Sequence, residues 1–126
     1  LLKLLKMEIK NMKVLALMNQ AKDAGATWLR VEFDGSGDDG DINDILMHTE
    51  KDNWDSEIGE MPDPDYIMKD FLYDKVNESV GMYGDWVNNE GGYGTLWWDL
   101  TYNTFRVDYI QRTTEDIDIP DMPMFV

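Results

Sequence analysis

The run Asp34-Gly35-Ser36-Gly37-Asp38-Asp39-Gly40-Asp41 constrains this chain more than any other stretch. Glycine and aspartate tolerate the left-handed backbone that tight turns need, and neither favours the interior of a helix or strand. The residues before the run alternate. Over Thr27–Phe33, Leu29, Val31 and Phe33 point one way while Trp28, Arg30 and Glu32 point the other, as in a half-buried strand. The run is therefore read as a turn that returns the chain as a second strand over Asp41–Met47, with Asn43-Asp44 its weakest point. The same region sets the electrostatics, because Val31–Tyr66 holds 13 Asp or Glu residues and one Lys.

The chain has 126 residues, enough for one domain with its own core. A hydrophobic content of 43% and five Trp argue against disorder. With no Cys, disulfides and thiolate metal sites are excluded. The formal net charge is -15, divided into +4 over residues 1–30 and -19 over the remainder. Such a field repels phosphate backbones, so direct nucleic-acid binding is not expected, and it attracts cationic partners. No apolar run is long enough for a membrane span. Leu1–Lys6 does not read as a secretory signal, because Lys3 and Lys6 interrupt it and no cleavage site follows.

The remaining elements follow from spacing and caps. Leu1–Ala24 reads as a helix with Lys3, Lys6, Lys10 and Lys13 on one stripe and Leu1, Leu4, Leu5, Met12 and Leu15 on the other side, capped at Gly25. Thr49–Met61 reads as a charged loop with Trp54 and Ile58 as docking points. Asp63 and Pro64 suit the start of a second helix, along which Met68, Phe71, Leu72, Val76 and Val80 recur, ending near Gly81 or Gly84. A glycine-rich connection over Asp85–Gly94 leads to a strand, Thr95–Leu100, then a turn at Tyr102-Asn103 and a last strand through Phe105, Val107 and Tyr109. The predicted fold is α+β, in the order helix-strand-strand-helix-strand-strand. It has one four-stranded antiparallel sheet with both helices on one face. Residues 1–112 form the domain and residues 113–126 an acidic, apolar tail. Pro120 and Pro123 keep the tail from being a regular helix; it lies extended over the body or serves as a partner-binding segment. Trp28, Trp97 and Ile110 are expected on the sheet's other face.

Two segments together resemble a known group of sequences. Val31-Glu32-Phe33-Asp34-Gly35-Ser36-Gly37-Asp38-Asp39-Gly40-Asp41-Ile42 is one, and Trp86-Val87-Asn88-Asn89-Glu90-Gly91-Gly92-Tyr93-Gly94-Thr95 with the following hairpin is the other. They are similar to a family of small uncharacterised domains of bacteria, their phages and mobile elements. That family pairs an F-D-G-x-G-D-x-G turn with a W-x-N-N-x-G-x-Y-G turn. The resemblance covers Ala24–Arg112 without the Thr49–Met61 loop and departs at Val87, where the family carries an acid. It implies a phage or mobile-element setting, and so the cytoplasm of a bacterial host, but no chemistry.

Candidate sites are few. Asp34, Asp38, Asp41 and Glu90 are hard oxygen donors, but no calcium-loop register fits: counting from Asp34, Asp39 stands at the sixth position and Ile45 at the twelfth. Turn geometry accounts for these residues more simply. The two glycine-rich turns would form a polar cleft if they lay at one sheet end, with loop-to-loop hydrogen bonding as the simpler purpose. His48, the only histidine, has no nucleophile elbow near it and is read as structural or solvent-facing. No catalytic residue and no cofactor is assigned. The expected role is a non-enzymatic domain that engages a basic protein surface through Asp34, Asp38, Asp39, Asp41, Asp44, Glu50, Asp52, Asp55, Glu57 and Trp97. In its sharpest form it is a nucleic-acid mimic that blocks the groove of a host nuclease or defence complex, as anti-CRISPR proteins do. A structural component of a phage particle and a divalent-metal enzyme are the alternatives.

Overall fold

A computed structural model describes residues 2–61, 66–81, 86–88, 90–112 and 116–124. Helix α1 (Leu2–Asp23) leads to the hairpin β1 (Trp28–Ser36) and β2 (Asp39–His48). A single 3-10 turn (Trp54–Ser56) precedes β3 (Glu57–Glu60), and α2 (Tyr66–Val80) follows. The chain then forms β4 (Gly92–Asp99), β5 (Thr104–Gln111), β6 (Asp116–Asp118) and β7 (Met122–Pro123). The predicted helix start at Asp63 and Pro64, and Gly84 as its stop, lie outside the described residues.

The fold is α+β with two helices and an antiparallel sheet, as predicted, but the sheet is wider than the four strands expected. Six strands run β3-β2-β1-β4-β5-β6, and the two-residue β7 also pairs with β5. One added strand comes from the charged region read as a loop, where Glu57–Glu60 pairs with β2. The others come from the tail, which extends the sheet along β5 and buries Ile119 and Met124. No helix among the described residues is long and apolar enough to cross a membrane.

One face of the sheet carries the core. Leu29, Val31, Phe33, Leu96, Trp98, Phe105 and Val107 are buried there against Val14, Leu17, Met18 and Ala21 of α1 and Met68, Phe71, Leu72 and Val76 of α2. Strand β2 reaches this face with Ile42 and Ile45, which are three residues apart. They share a face because Asn43 is an extra residue: Glu32 pairs with Asp44 and Phe33 with Ile42. This bulge reconciles the irregular β2 pattern with a regular β1.

Three caps and turns hold the frame. Gly25, at φ 97, closes α1: its N–H donates to the Lys22 carbonyl, and that of Ala26 to Ala21, the paired bonds of a Schellman motif. The β1–β2 turn is two residues long, with Gly37 and Asp38 both at positive φ, as the twist of a tight hairpin requires. Between β4 and β5 the connection is four residues, Leu100–Asn103, rather than the two-residue turn expected. Asp99 Oδ1 accepts from the N–H groups of Thr101 and Tyr102, and Asn103 takes the left-handed position at φ 53.

Helix α1 faces the body with a different side from the one its pattern suggested. Val14, Leu17, Met18 and Ala21 are buried, and Lys10 reaches Asp74 of α2 at 3.6 Å. Leu4, Leu5, Met12 and Leu15, expected to pack, are exposed.

Candidate functional site on the open face of the sheet

The face turned away from the helices is polar and is organised in rows by the strand register. One row runs Asp41, Asp34, Tyr93 and Ile110 across β2, β1, β4 and β5. The next runs Asp44, Glu32, Thr95 and Asp108. The third runs Leu46, Arg30, Trp97 and Arg106. Side chains two residues apart on a strand share a face, so the three rows lie side by side on this face of the sheet.

The third row is covered at Arg30 and Trp97. Arg30 is 3% exposed, and its guanidinium lies 3.6 Å from the Trp54 ring centroid. It donates from Nε to His48 Nε2 at 2.9 Å, from Nη1 to Glu32 at 2.7 Å and from Nη2 to Glu57 at 2.9 Å. All three guanidinium nitrogens thus have acceptors, which is what a buried arginine needs to offset desolvation. Because Nε2 of His48 accepts from Arg30, the proton sits on Nδ1, which donates to the Asn53 carbonyl at 3.1 Å. Burial lowers the His48 pKa below its ordinary 6.5; the bond to Asn53 opposes this, the Arg30 charge adds to it, and Glu57 opposes it weakly. Trp97 stands edge-on to His48 and to Trp54, with ring centroids 5.0 and 6.5 Å apart. The segment over Thr49–Glu57 is therefore a flap folded onto the sheet, held by Ser56, whose hydroxyl donates to the Asn53 carbonyl at 2.7 Å and accepts from the Glu50 N–H at 3.2 Å.

Beside the flap the other two rows line a cleft of about 590 Å³, walled by Glu32, Asp34, Asn43, Trp54, Tyr93, Thr95, Asp108 and Ile110. Its carboxylates have internal partners. Glu32 pairs with Arg30, Asp108 with Arg106 at 3.3 Å, and Asp34 with Arg112 at 2.5 Å. Trp54, Tyr93 and Ile110 leave apolar surface at its rim.

The two glycine-rich turns meet at one end of the sheet, on the helix side of the hairpin. Trp86 is the plug. Its indole Nε1 donates to Asn77 of α2 at 2.8 Å, and its ring stands edge-on to Phe33 at 5.2 Å. A Cβ at Gly35 or Gly40 would lie 2.9 Å from the Trp86 ring, so both positions need glycine to let the indole in. The Asp38 N–H donates to the Val87 carbonyl, and Arg112 Nη1 donates to the Gly35 carbonyl at 2.7 Å. The two motifs of the resemblance are thus one packing unit, the loop-to-loop arrangement that was the simpler reading.

The expected partner-facing residues divide into two sets. Asp34, Asp52 and Glu57 pair with Arg112, Lys51 and Arg30, and Glu50 accepts from Asn53. Asp38, Asp39, Asp41, Asp44 and Asp55 form no ion pair among the described residues. Trp97 is corrected from surface to buried, at 2% exposure, because Trp54 and His48 cover it. Its strand alternation is as expected; the cover comes from outside the strand. Among the described residues no group of three or more His, Asp or Glu is placed to hold a metal ion, so Asp34, Asp38, Asp41 and Glu90 are not brought together as ligands. Sequence reasoning missed Arg30, Asp108 and Arg112. Only the register, joining residues far apart in the chain, reveals them.

No known protein-family model matches the chain, no curated protein matches it, and no solved structure matches it.

Proposed function

We propose that this chain is a non-enzymatic binding module that receives a basic protein surface on the β1–β2 hairpin and the adjoining open face. The observation that carries the reading is the contrast between the two sets of acids. The cleft carboxylates are balanced by Arg30, Arg106 and Arg112, whereas Asp38, Asp39, Asp41 and Asp44 have no ion pair among the described residues. Unbalanced carboxylates concentrated on one hairpin repel one another and gain when a cationic surface arrives. Trp54, Tyr93 and Ile110 at the cleft rim supply the apolar anchors that such an interface uses beside its charges.

The finer form is a nucleic-acid mimic of phage or mobile-element origin, with the hairpin carboxylates standing where phosphates would in the groove of a host nuclease or defence complex. The enzyme alternative has less support, since the two glycine-rich turns spend their contacts on holding Trp86. The test is affinity capture from bacterial lysate at about 50 mM salt, repeated at about 500 mM, where screening shortens the reach of surface charge to a few ångström. The expected result is a basic protein retained only at low salt and displaced by duplex DNA. Retention that ignores both salt and DNA contradicts the proposal.

A further inference from the structure

The cleft on the open face combines two aromatic rings with acids whose charge is already met. Arg30 bonds Glu32 and lies 3.6 Å from the Trp54 ring centroid. Arg112 bonds Asp34 and lies 5.2 Å from the Tyr93 ring centroid. The same unit of carboxylate, guanidinium and ring thus stands twice beside one cavity. Each ring is braced by its arginine, yet Trp54 and Tyr93 stay 57% and 41% exposed. Asp108 completes the acids, paired with Arg106. In every pair one carboxylate oxygen takes the arginine, and the other takes no bond among the described residues. Thr95 and Asn43, whose side chains donate as well as accept, line the same walls.

We infer that this cleft binds a neutral oligosaccharide. Its volume of about 590 Å³ falls within the range of about 300–1,000 Å³ usual for small-molecule sites. Charge selects the class. An anion is repelled by a chain of net charge -15. A cation gains little here, because each cleft acid is neutralised by an arginine of the same chain. A wholly apolar ligand would strip water from three carboxylates and return no hydrogen bond. What remains is a neutral molecule rich in hydroxyl donors, with C–H faces to lay on the rings. Hydroxyls donating to the remaining carboxylate oxygens make charge-assisted bonds, which are stronger than neutral ones. Sugar C–H groups are weakly positive and suit the negative face of an aromatic ring. The dimensions agree. Glu32 and Asp34 stand about 7 Å apart along β1, and Asp108, two strands from Glu32, about 10 Å across the sheet, which is the footprint of about two pyranose rings. A nucleobase has too few donors for acceptors spread so widely. The arginine pairs hold those acceptors in place before a ligand arrives, which limits the ordering cost of binding. The site is separate from the unbalanced hairpin acids on which the protein-binding reading rests.

Nuclear magnetic resonance of the isotope-labelled chain tests this. Neutral oligosaccharides of glucose, galactose, mannose, xylose and N-acetylglucosamine are each titrated to about 10 mM, at about 50 and about 500 mM salt. At least one sugar should move the Trp54 indole and Thr95 amide signals saturably, with the same Kd at both salt concentrations. Tyr93→Ala removes a ring and Asp108→Asn a charged acceptor, and each should raise that Kd about tenfold. Both positions are exposed, so an unaltered melting curve confirms that the variants fold, and either one alone decides the point. No response to any of these sugars, or a Kd that neither variant changes, would overturn the inference. So would a response to arginine amide and to no sugar, with a Kd that rises steeply with salt, which would assign the cleft to a cationic side chain of a partner. Sugar binding indifferent to salt differs from the salt-sensitive capture expected of the hairpin, so either result can fail without the other.

Discussion

Arg30 Nε donates to His48 Nε2 at 2.9 Å, a bond that only the neutral imidazole can accept, and burial first, with the Arg30 charge beside it, lowers the His48 pKa below its ordinary 6.5. A second proton on Nε2 would set two donors against each other with no acceptor between them. The pair also orders the flap, since Arg30 underlies Trp54 and His48 reaches Asn53.

Stability should therefore depend on pH through His48. Its pKa is lowered on folding, so the unfolded chain takes up a proton first as pH falls below about 6.5. The contribution is fully present above that pH and is lost on acidification toward the lower folded value. Urea unfolding at pH 8, 7, 6 and 5.5 on the wild type and on His48→Gln isolates it. The difference between the two chains should shrink toward acid, at most by about 1.4 kcal/mol per pH unit for one proton. A difference that stays constant across the series contradicts the buried, neutral histidine.

Arg30→Met should destabilise the fold by about 2–4 kcal/mol, because it leaves Glu32 and Glu57 facing each other and His48 Nε2 without its donor. Trp54 fluorescence should shift toward that of a solvated indole as the flap loosens. Arg30→Lys should recover only part of the loss, since one ammonium cannot satisfy three acceptors at fixed angles.

Glycines of the hairpin should separate by what they face. Gly35→Ala and Gly40→Ala push a methyl into Trp86 and should cost about 2–3 kcal/mol, as overpacking does. Gly37→Ala meets nothing within 4 Å and carries only its left-handed backbone, so about 1 kcal/mol is expected. Denaturant midpoints of the three variants read this order directly; an equal loss at all three would mean Trp86 does not set it.

Much of this was legible locally. The alternation of Leu29, Val31 and Phe33, the cap at Gly25 and the spacing of Met68, Phe71, Leu72 and Val76 each follow from near neighbours, and the structure has all three. What was hidden depends on pairing. Asn43 becomes an extra residue only against the register of β1, and Asp116–Asp118 becomes a strand only because β5 offers an edge. Trp97 alternates like a surface residue and is buried by Trp54, which lies in a segment too charged to read as packed. On α1 the sequence offers several apolar sides, and only the location of the core shows that Val14 and Leu17 are the ones used.

Charge removal at the hairpin should spare the fold. Asp38, Asp39, Asp41 and Asp44 changed together to Asn should leave stability unchanged or raise it by up to about 1 kcal/mol at low salt, where like charges repel most. Asn also tolerates the positive φ at Asp38. A loss of more than that would show these carboxylates to be structural.

That fourfold variant also provides the decisive comparison. Once a basic partner has been captured, its Kd for the wild type and for the variant should be measured by calorimetry across a salt series. If the hairpin acids form the interface, the wild-type affinity falls steeply as salt rises, and the variant binds more weakly with a shallower slope. Equal affinities and equal slopes for the two chains would contradict it.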